Sequence, residues 1–285
     1  MNYNKIALIG GDMRMLYCAK ALVEYGYETA LFGFDTYKIS LPIAEAINDA
    51  SAIIFPTPMM KDDALNLPFS EERISSASLI SLLPEGNGVR VFGGMIPSEI
   101  KEELERKGYK VTDLLENETF NYMNAIPTSE GALSLAISHT KKTLNGGTCI
   151  VIGYGRIGRV LSRSLKALGA DVIVIARKEK DRAEAKSEGL KARSYDFLPS
   201  ACASSDVIFN TVPSVVITEE SLKRIPKDTP IIELASKPGG VDTVSALRHG
   251  TRIISAQSLP GRIAPISAGR IIADCVRSFI EGGLL

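Results

Sequence analysis

Short aliphatic and β-branched runs alternate along the chain with longer stretches whose apolar residues recur every three to four positions. The runs at 6–9, 29–32, 52–55 and 90–92, and then Lys110–Asp113, have the length and apolar character of buried strands. Residues 13–25 carry helical spacing, and 100–107 predict a helix with a charged outer face. Glycine or proline punctuates the strand ends, at Gly10-Gly11, Gly33, Pro56-Thr57-Pro58 and Gly93-Gly94. Residues 124–131 mark a change, with Thr128 or Ser129 capping a helix over 132–140. The pattern then restarts. Strands are predicted at Thr148–Ile152, Asp171–Ile175, Val207–Asn210, 230–234 and 252–254, with helices at 157–168, 179–186 and 265–280.

Strands separated by helices throughout predict an α/β protein with parallel sheets covered on both faces. The expected architecture is two Rossmann-like, doubly wound parallel-sheet domains with an interdomain cleft. Residues 1–125 form the first, with the C-terminal helix 265–285 packing back on it, and 126–264 form the second. A length of 285 residues suits two domains.

Composition narrows the chemistry. Lys plus Arg and Asp plus Glu both total 33, so no global field draws nucleic acid or an anionic membrane. Any anion must be held locally. Four scattered cysteines lack metal-type spacing, and two histidines cannot build a multi-histidine centre, so no metal is expected. The first five residues lead into an apolar run too brief for a signal peptide, and no run approaches the length of a membrane span. A reducing, cytoplasmic setting is the expectation.

The most informative segment is Gly153-Tyr154-Gly155-Arg156-Ile157-Gly158, which follows a β-branched run and opens an apolar helix. The first glycine allows a tight turn and the second lets a pyrophosphate approach the backbone. The third lets helix and sheet pack closely. A dinucleotide is therefore expected on the helix N-terminus. NAD sites place Asp or Glu at the end of the next strand, whereas this chain has Arg177 and Lys178. A guanidinium pairs with a ribose 2′-phosphate that a carboxylate would repel, which points to NADP. The plain alternative is that both residues begin a solvated, charge-rich helix. Thr211-Val212-Pro213 and Ala235-Ser236 end later strands, where they can close around the cofactor.

These features, with others, resemble the dipicolinate synthase A-subunit family of spore-forming bacteria. The likeness rests on Ile9-Gly10-Gly11-Asp12 with Arg14, Gly33-Phe34-Asp35, Ile126-Pro127-Thr128 with Glu130-Gly131, and Ala136-Ile137 with His139-Thr140. It continues through residues 153–158, Leu234-Ala235-Ser236 with Pro238-Gly239-Gly240, and Leu259-Pro260-Gly261 with Ala264-Pro265. The resemblance implies formation of pyridine-2,6-dicarboxylate for endospores, from a tetrahydrodipicolinate intermediate branching off the lysine (diaminopimelate) pathway. It further implies partnership with a flavoprotein-like B subunit, and a location in the mother cell. A wider likeness to D-2-hydroxyacid and alanine dehydrogenases breaks down in two places. Lys237 stands where the hydroxyacid enzymes carry Arg, and Pro260 is followed by Gly261 instead of their proton-shuttling histidine.

The implied substrate is a cyclic imine with two carboxylates, which loses water and then two electrons. In a neutral protein such a dianion needs localised cations, for which Arg14, Arg262 and Lys237 are the candidates. Thr57, Thr128 and Ser129 are candidates for orienting it. Asp12, Glu130, His139 and Lys237 are the candidates for proton transfer. Each has a structural alternative. Asp12 and Glu130 suit a helix start, His139 a helix end, Thr128 and Ser129 a cap, and Arg14 an exposed helix position. Two other functions stay open: an NADP-linked amino- or hydroxy-acid dehydrogenase, and a nucleotide-binding subunit whose partner completes the site. Homo-oligomerisation is likewise open.

Overall fold

The computed structural model describes residues 5–282. The chain forms two compact units, Met1–Asn124 with Ala264–Leu285, and Ala125–Ile263. In the first, β1 (Lys5–Ile9) leads through α1 (Met13–Glu24) to β2 (Glu28–Phe32), then α2 (Ile43–Ile47) and β3 (Ala52–Ile54). A small antiparallel pair follows, β4 (Met60–Lys61) with β5 (Ala64–Leu65), then α3 (Ser76–Leu82), β6 (Arg90–Gly93), α4 (Ser98–Arg106) and β7 (Lys110–Asp113). The main sheet has the order β2-β1-β3-β6-β7 and is parallel at every pairing. Successive strand residues point to opposite faces. Ala7, Ile9, Ile53 and Val91 accordingly pack under α2, α3 and α4, while Ile6, Leu8, Ile54 and Phe92 face α1.

The next helix, α5 (Glu118–His139), differs from the sequence expectation. The sequence predicts a helix over 132–140 capped by Thr128 or Ser129, yet one helix runs from Glu118 straight through Pro127 to His139. Proline cannot donate to the carbonyl four residues back. Two residues later Ser129 Oγ donates to the Ala125 carbonyl at 2.7 Å, so this hydroxyl bonds inside the helix and caps nothing. Thr128 is buried beside it. Glu130 is exposed in the helix interior, far from the first turn.

The second unit continues with β8 (Thr148–Ile152), α6 (Arg156–Ala167), β9 (Asp171–Ile175), α7 (Glu179–Ser187) and β10 (Lys191–Arg193). It is completed by α8 (Leu198–Cys202), β11 (Val207–Asn210), α9 (Glu219–Leu222), β12 (Ile231–Glu233), α10 (Thr243–His249), β13 (Ile253–Ser255) and α11 (Leu259–Ile263). Its parallel sheet has the order β10-β9-β8-β11-β12-β13, the strand order of dinucleotide-binding Rossmann domains. Cys149, Val151, Val174 and Phe209 pack toward α5, α6, α7 and α11; Ile150, Ile152, Ile208 and Ile231 pack toward α8, α9 and α10.

The last helix, α12 (Pro265–Glu281), belongs to the first unit and lies along α1. A Cβ on Gly269 would stand 2.5 Å from the Arg14 carbonyl oxygen and 2.7 Å from Tyr17 Cβ, so only glycine permits this approach. Ile272 and Val276 join Cys18 and Leu22 in one core, and Tyr25 donates to Asp274 at 2.5 Å. Residues 283–285 of the helix expected over 265–285 lie outside the described residues. Among the described residues no helix is long and apolar enough to cross a membrane, and no cluster of His, Cys, Asp and Glu could hold a metal ion.

Candidate functional site

Ligands of open parallel sheets bind at the carboxyl ends of strands, where successive connections leave in opposite directions. In the second unit that point lies between β8 and β11, whose last residues, Ile152 and Asn210, are paired. The three glycines of the following loop do different work. Gly153 has φ +94°, and a Cβ there would meet Thr211 Oγ1 at 2.3 Å. A Cβ on Gly158 would lie 2.2 Å from the Gly153 oxygen, so this residue lets α6 start against the loop. Gly155 has nothing within 4 Å of its missing Cβ. It is also the N-cap of α6 and offers no side chain to the helix's first N–H groups. Open space beside an uncapped helix start fits a pyrophosphate.

The neighbouring side chains are set by the core. Tyr154 contributes backbone only: its ring is buried and its hydroxyl donates to Glu188 Oε2 at 3.1 Å. Burial, then the Glu188 carboxylate, pushes this phenol up to about 12. Ile157 packs on the core, whereas Arg156 is exposed beside the opening. Thr211 donates its hydroxyl to the Ile152 carbonyl at 2.8 Å, closing the far wall, with Val212 and Pro213 following.

Beyond β9, Arg177 and Lys178 are both exposed, and Lys178 is the N-cap residue of α7. Arg182, which sequence reasoning passed over, curls back from α7 and donates through Nη1 to the carbonyls of Ala176 at 2.9 Å and Arg177 at 2.6 Å.

Glu233 at the end of β12 was also missed. Its Oε1 accepts from Asn210 Nδ2 at 2.7 Å and from the Ala235 N–H at 3.1 Å; its Oε2 accepts from the Gly240 N–H at 3.2 Å. Asn210, wholly buried, also donates to the Val212 carbonyl at 3.0 Å. A single carboxylate thus ties the 211–214 turn to the 235–240 turn, which presents Ser236 and Lys237 to solvent. An acid inside the otherwise apolar stretch 230–235 was the available signal.

His139 does not reach this site. Its carbonyl accepts from Arg252 Nη2, and Arg252 itself precedes β13. Close by, Lys142 pairs at 2.6 Å with Asp206, which accepts from the N–H of Thr148, the first residue of β8. The end of α5 therefore lies at the amino edge of the sheet, a strand's length from the glycine loop, roughly 16 Å at about 3.3 Å per residue. A cavity of about 340 Å³ at that edge is lined by Thr140, Lys142, Ser205, Asp206 and Thr229. Glu130 and Arg262 are exposed on α5 and α11, two helices that approach closely where Gly131 meets Leu259.

In the first unit the corresponding point lies between β1 and β3. Asp12 caps α1 by accepting from the Arg14 N–H at 3.0 Å. Its carboxylate also takes the Arg14 fork, Nε to Oδ1 at 2.8 Å and Nη2 to Oδ2 at 2.9 Å. The same Nη2 donates to the Thr57 carbonyl at 2.6 Å, across the point where the connections diverge. The Arg14 side chain is only 11% exposed, which removes the exposed-helix alternative. Thr57 is half-buried and packs against Gly94, whose absent Cβ would fall 2.3 Å from its Oγ1.

Comparison with known proteins follows the same division. Residues 5–115 match the family described as the N-terminal domain of the dipicolinate synthase A subunit, and residues 124–241 match the D-isomer specific 2-hydroxyacid dehydrogenase, NAD binding domain. The dipicolinate synthase A subunit of Bacillus subtilis (strain 168) is 31% identical over 290 residues, covering 97% of this chain and 95% of that protein. The crystal structure of the dipicolinate synthase A subunit from Bacillus halodurans superposes with a TM-score of 0.86 at 30% identity, over 97% of each chain. A Salmonella D-lactate dehydrogenase, 14% identical, shares the fold with a TM-score of 0.66 over 98% of each chain. The chain belongs to the dipicolinate synthase A-subunit family, an oxidoreductase whose second unit is a nicotinamide-dinucleotide domain.

Proposed function

We propose that the chain converts a hydroxy-tetrahydro- or dihydrodipicolinate intermediate to pyridine-2,6-dicarboxylate with NADP as acceptor, working with a flavoprotein-like B subunit. The observation that carries the redox reading is the opening at Gly155 beside the uncapped start of α6. Residues 153–158 would hold the pyrophosphate, with Thr211, Val212 and the turn at Ala235 and Ser236 around the rest of the cofactor. Arg177 and Lys178 would meet the 2′-phosphate, which supports NADP over NAD. When bound, the nicotinamide accepts a hydride.

The chain's own residues must bind two carboxylates and take up a proton. Arg14 is fixed through Nε and Nη2, which leaves Nη1 for a substrate carboxylate. Asp12 neutralises most of its charge, so Lys237 and Arg262 are the further cations the dianion requires. Thr57 would orient the ring through its hydroxyl. Of the four proton-transfer candidates, Asp12 is committed to Arg14 and the α1 cap, and His139 lies at the other edge of its sheet. Glu130 is the available carboxylate. Lys237 already serves as one of the cations that face the dianion.

The test is formation of pyridine dicarboxylate, followed by absorbance, from freshly generated intermediate and NADP, with and without the flavoprotein-like partner. Formation of product supports the oxidoreductase reading, and absence of product under both conditions overturns it. Product only with both chains favours a shared site. The double commitment of Asp12 favours that second reading, since it takes the carboxylate at the end of β1 out of proton transfer.

A further inference from the structure

The end of β9 gathers cations that have no acidic partners. On the neighbouring α6 two arginines are paired: Arg159 with Glu184 at 2.8 Å and Asp181 at 3.6 Å, Arg163 with Glu188 at 2.5 Å. Among the described residues Arg177, Lys178 and Arg182 make no ion pair. Arg193, at the end of the adjacent β10, spends its Nη1 on the Ala192 carbonyl and lies over the Phe197 ring, 5.5 Å from its centroid. Glu179 and Asp196 are nearby in sequence but exposed to solvent.

Arg182 is the most unusual of these. It is the fourth residue of α7, yet its guanidinium sits back at the helix start, on carbonyls that precede the helix. That is the positive pole of the helix, where a cation is disfavoured and an anion welcome. Nη1 serves both carbonyls, while Nε and Nη2 make no hydrogen bond among the described residues. A half-buried fork with two donors to spare, at a helix pole that favours negative charge, is suited to an anion.

Resting on the NADP reading above, we propose that Arg182 is a second phosphate ligand at the end of β9. With Arg177 it forms a two-arginine receptor for a ribose 2′-phosphomonoester. Its bond to the Arg177 carbonyl fixes the turn from which Arg177 reaches the same group, so one side chain both binds the phosphate and positions its neighbour. The ion pairs from Arg159 to Asp181 and Glu184 hold α7, and hence this receptor, against the helix that opens at the glycine loop.

The experiment uses the full chain and the intrinsic fluorescence of NADPH and NADH, read against a protein that contains no Trp. Arg182→Gln should weaken NADPH binding by about tenfold to a hundredfold, the worth of a charged hydrogen bond, and NADH binding by less than about threefold. Arg182→Lys, which keeps the charge but not the fork, should fall between. Adenosine 2′,5′-bisphosphate should compete with NADPH on the wild-type chain and do so more weakly on Arg182→Gln. Unchanged NADH affinity and thermal midpoint certify the fold of each variant. Equal losses for both nucleotides, or none, overturn the inference. If Arg177→Ala abolishes a wild-type preference for NADPH while Arg182→Gln leaves it intact, the NADP reading stands and this inference alone falls. A wild-type chain without that preference sinks both.

Discussion

Asp12 and Arg14 bind each other through two parallel hydrogen bonds, and the same carboxylate closes the first turn of α1. One acid therefore starts the helix and aims the guanidinium that the helix carries to the strand ends. The two tasks separate under mutation. Asp12→Asn keeps a good cap and should change unfolding free energy by no more than about 1 kcal/mol, while Asp12→Ala should lose about that much or more. Both release the Arg14 fork, so product formation should fall in both, whatever their stability. Denaturant unfolding beside steady-state kinetics checks this, and activity that tracked stability would refute the division.

Two glycines of the phosphate loop should respond oppositely to alanine. Gly155 has φ −80° and open space, so Gly155→Ala should fold with a loss of no more than about 1 kcal/mol, yet bind nucleotide at least about tenfold more weakly. Gly158→Ala drives a methyl into the Gly153 oxygen and should cost about 2 kcal/mol or more. Thermal midpoints and nucleotide titrations of the pair distinguish a loop shaped for a ligand from a purely structural turn.

Glu233→Ala strips partners from Asn210 and from the Ala235 and Gly240 N–H groups together. Leaving buried donors unmade costs about 1–3 kcal/mol each, partly relieved by water. The variant should be less stable than wild type and bind nucleotide more weakly, because both turns lose their common anchor. Glu233→Gln should recover part of each. Wild-type affinity in the alanine variant would show that the turns hold themselves.

Alkaline pH should destabilise the fold in a defined window. Burial raises Cys149 and Cys202 from 9.0 to about 12 and Cys275 to about 11. Between pH 9 and those values the folded chain holds protons that the unfolded chain has released. Raised values of this kind stabilise fully below the unfolded value, and the benefit fades as pH climbs toward the folded one. The expected slope is about 1.4 kcal/mol per pH unit for each thiol. Urea midpoints from pH 8 to 11 measure it, and Cys149→Ala with Cys202→Ala should flatten the decline.

His139→Ala should leave turnover and nucleotide affinity at wild-type levels, because the residue lies at the amino edge of its sheet. A tenfold loss of kcat would contradict that placement.

Much of the fold was legible in the chain because its determinants are local. Apolar runs such as Thr148–Ile152 mark buried strands, the glycines at 153 and 158 sit where a Cβ would collide, and Gly155 leaves open space at the start of α6. Features built from distant residues were not legible. Glu233 meets Asn210 across 23 positions, and His139 lies at the wrong edge only because of where β8 and β13 begin. The caps expected at Thr128 and Ser129 misled because serine and threonine suit a helix start, whereas Ser129 spends its hydroxyl on the Ala125 carbonyl inside a helix that already runs through Pro127. The three-residue β10 has a single buried side chain, Ala192, so no apolar run announces it.

The crossing of α1 and α12 at Gly269 also bears on synthesis. The ribosome releases α1 early, but the helix that covers Cys18 and Leu22 emerges only after the whole of the second unit. The nascent first unit must therefore wait with an apolar helix face uncovered, although domains made first usually fold first. The order of completion is reversed: the nucleotide domain can close while still tethered, and the unit bearing Arg14 finishes last. A ribosome stalled before α12 would then display a finished nucleotide site beside an unfinished partner unit, the kind of chain that chaperones retain.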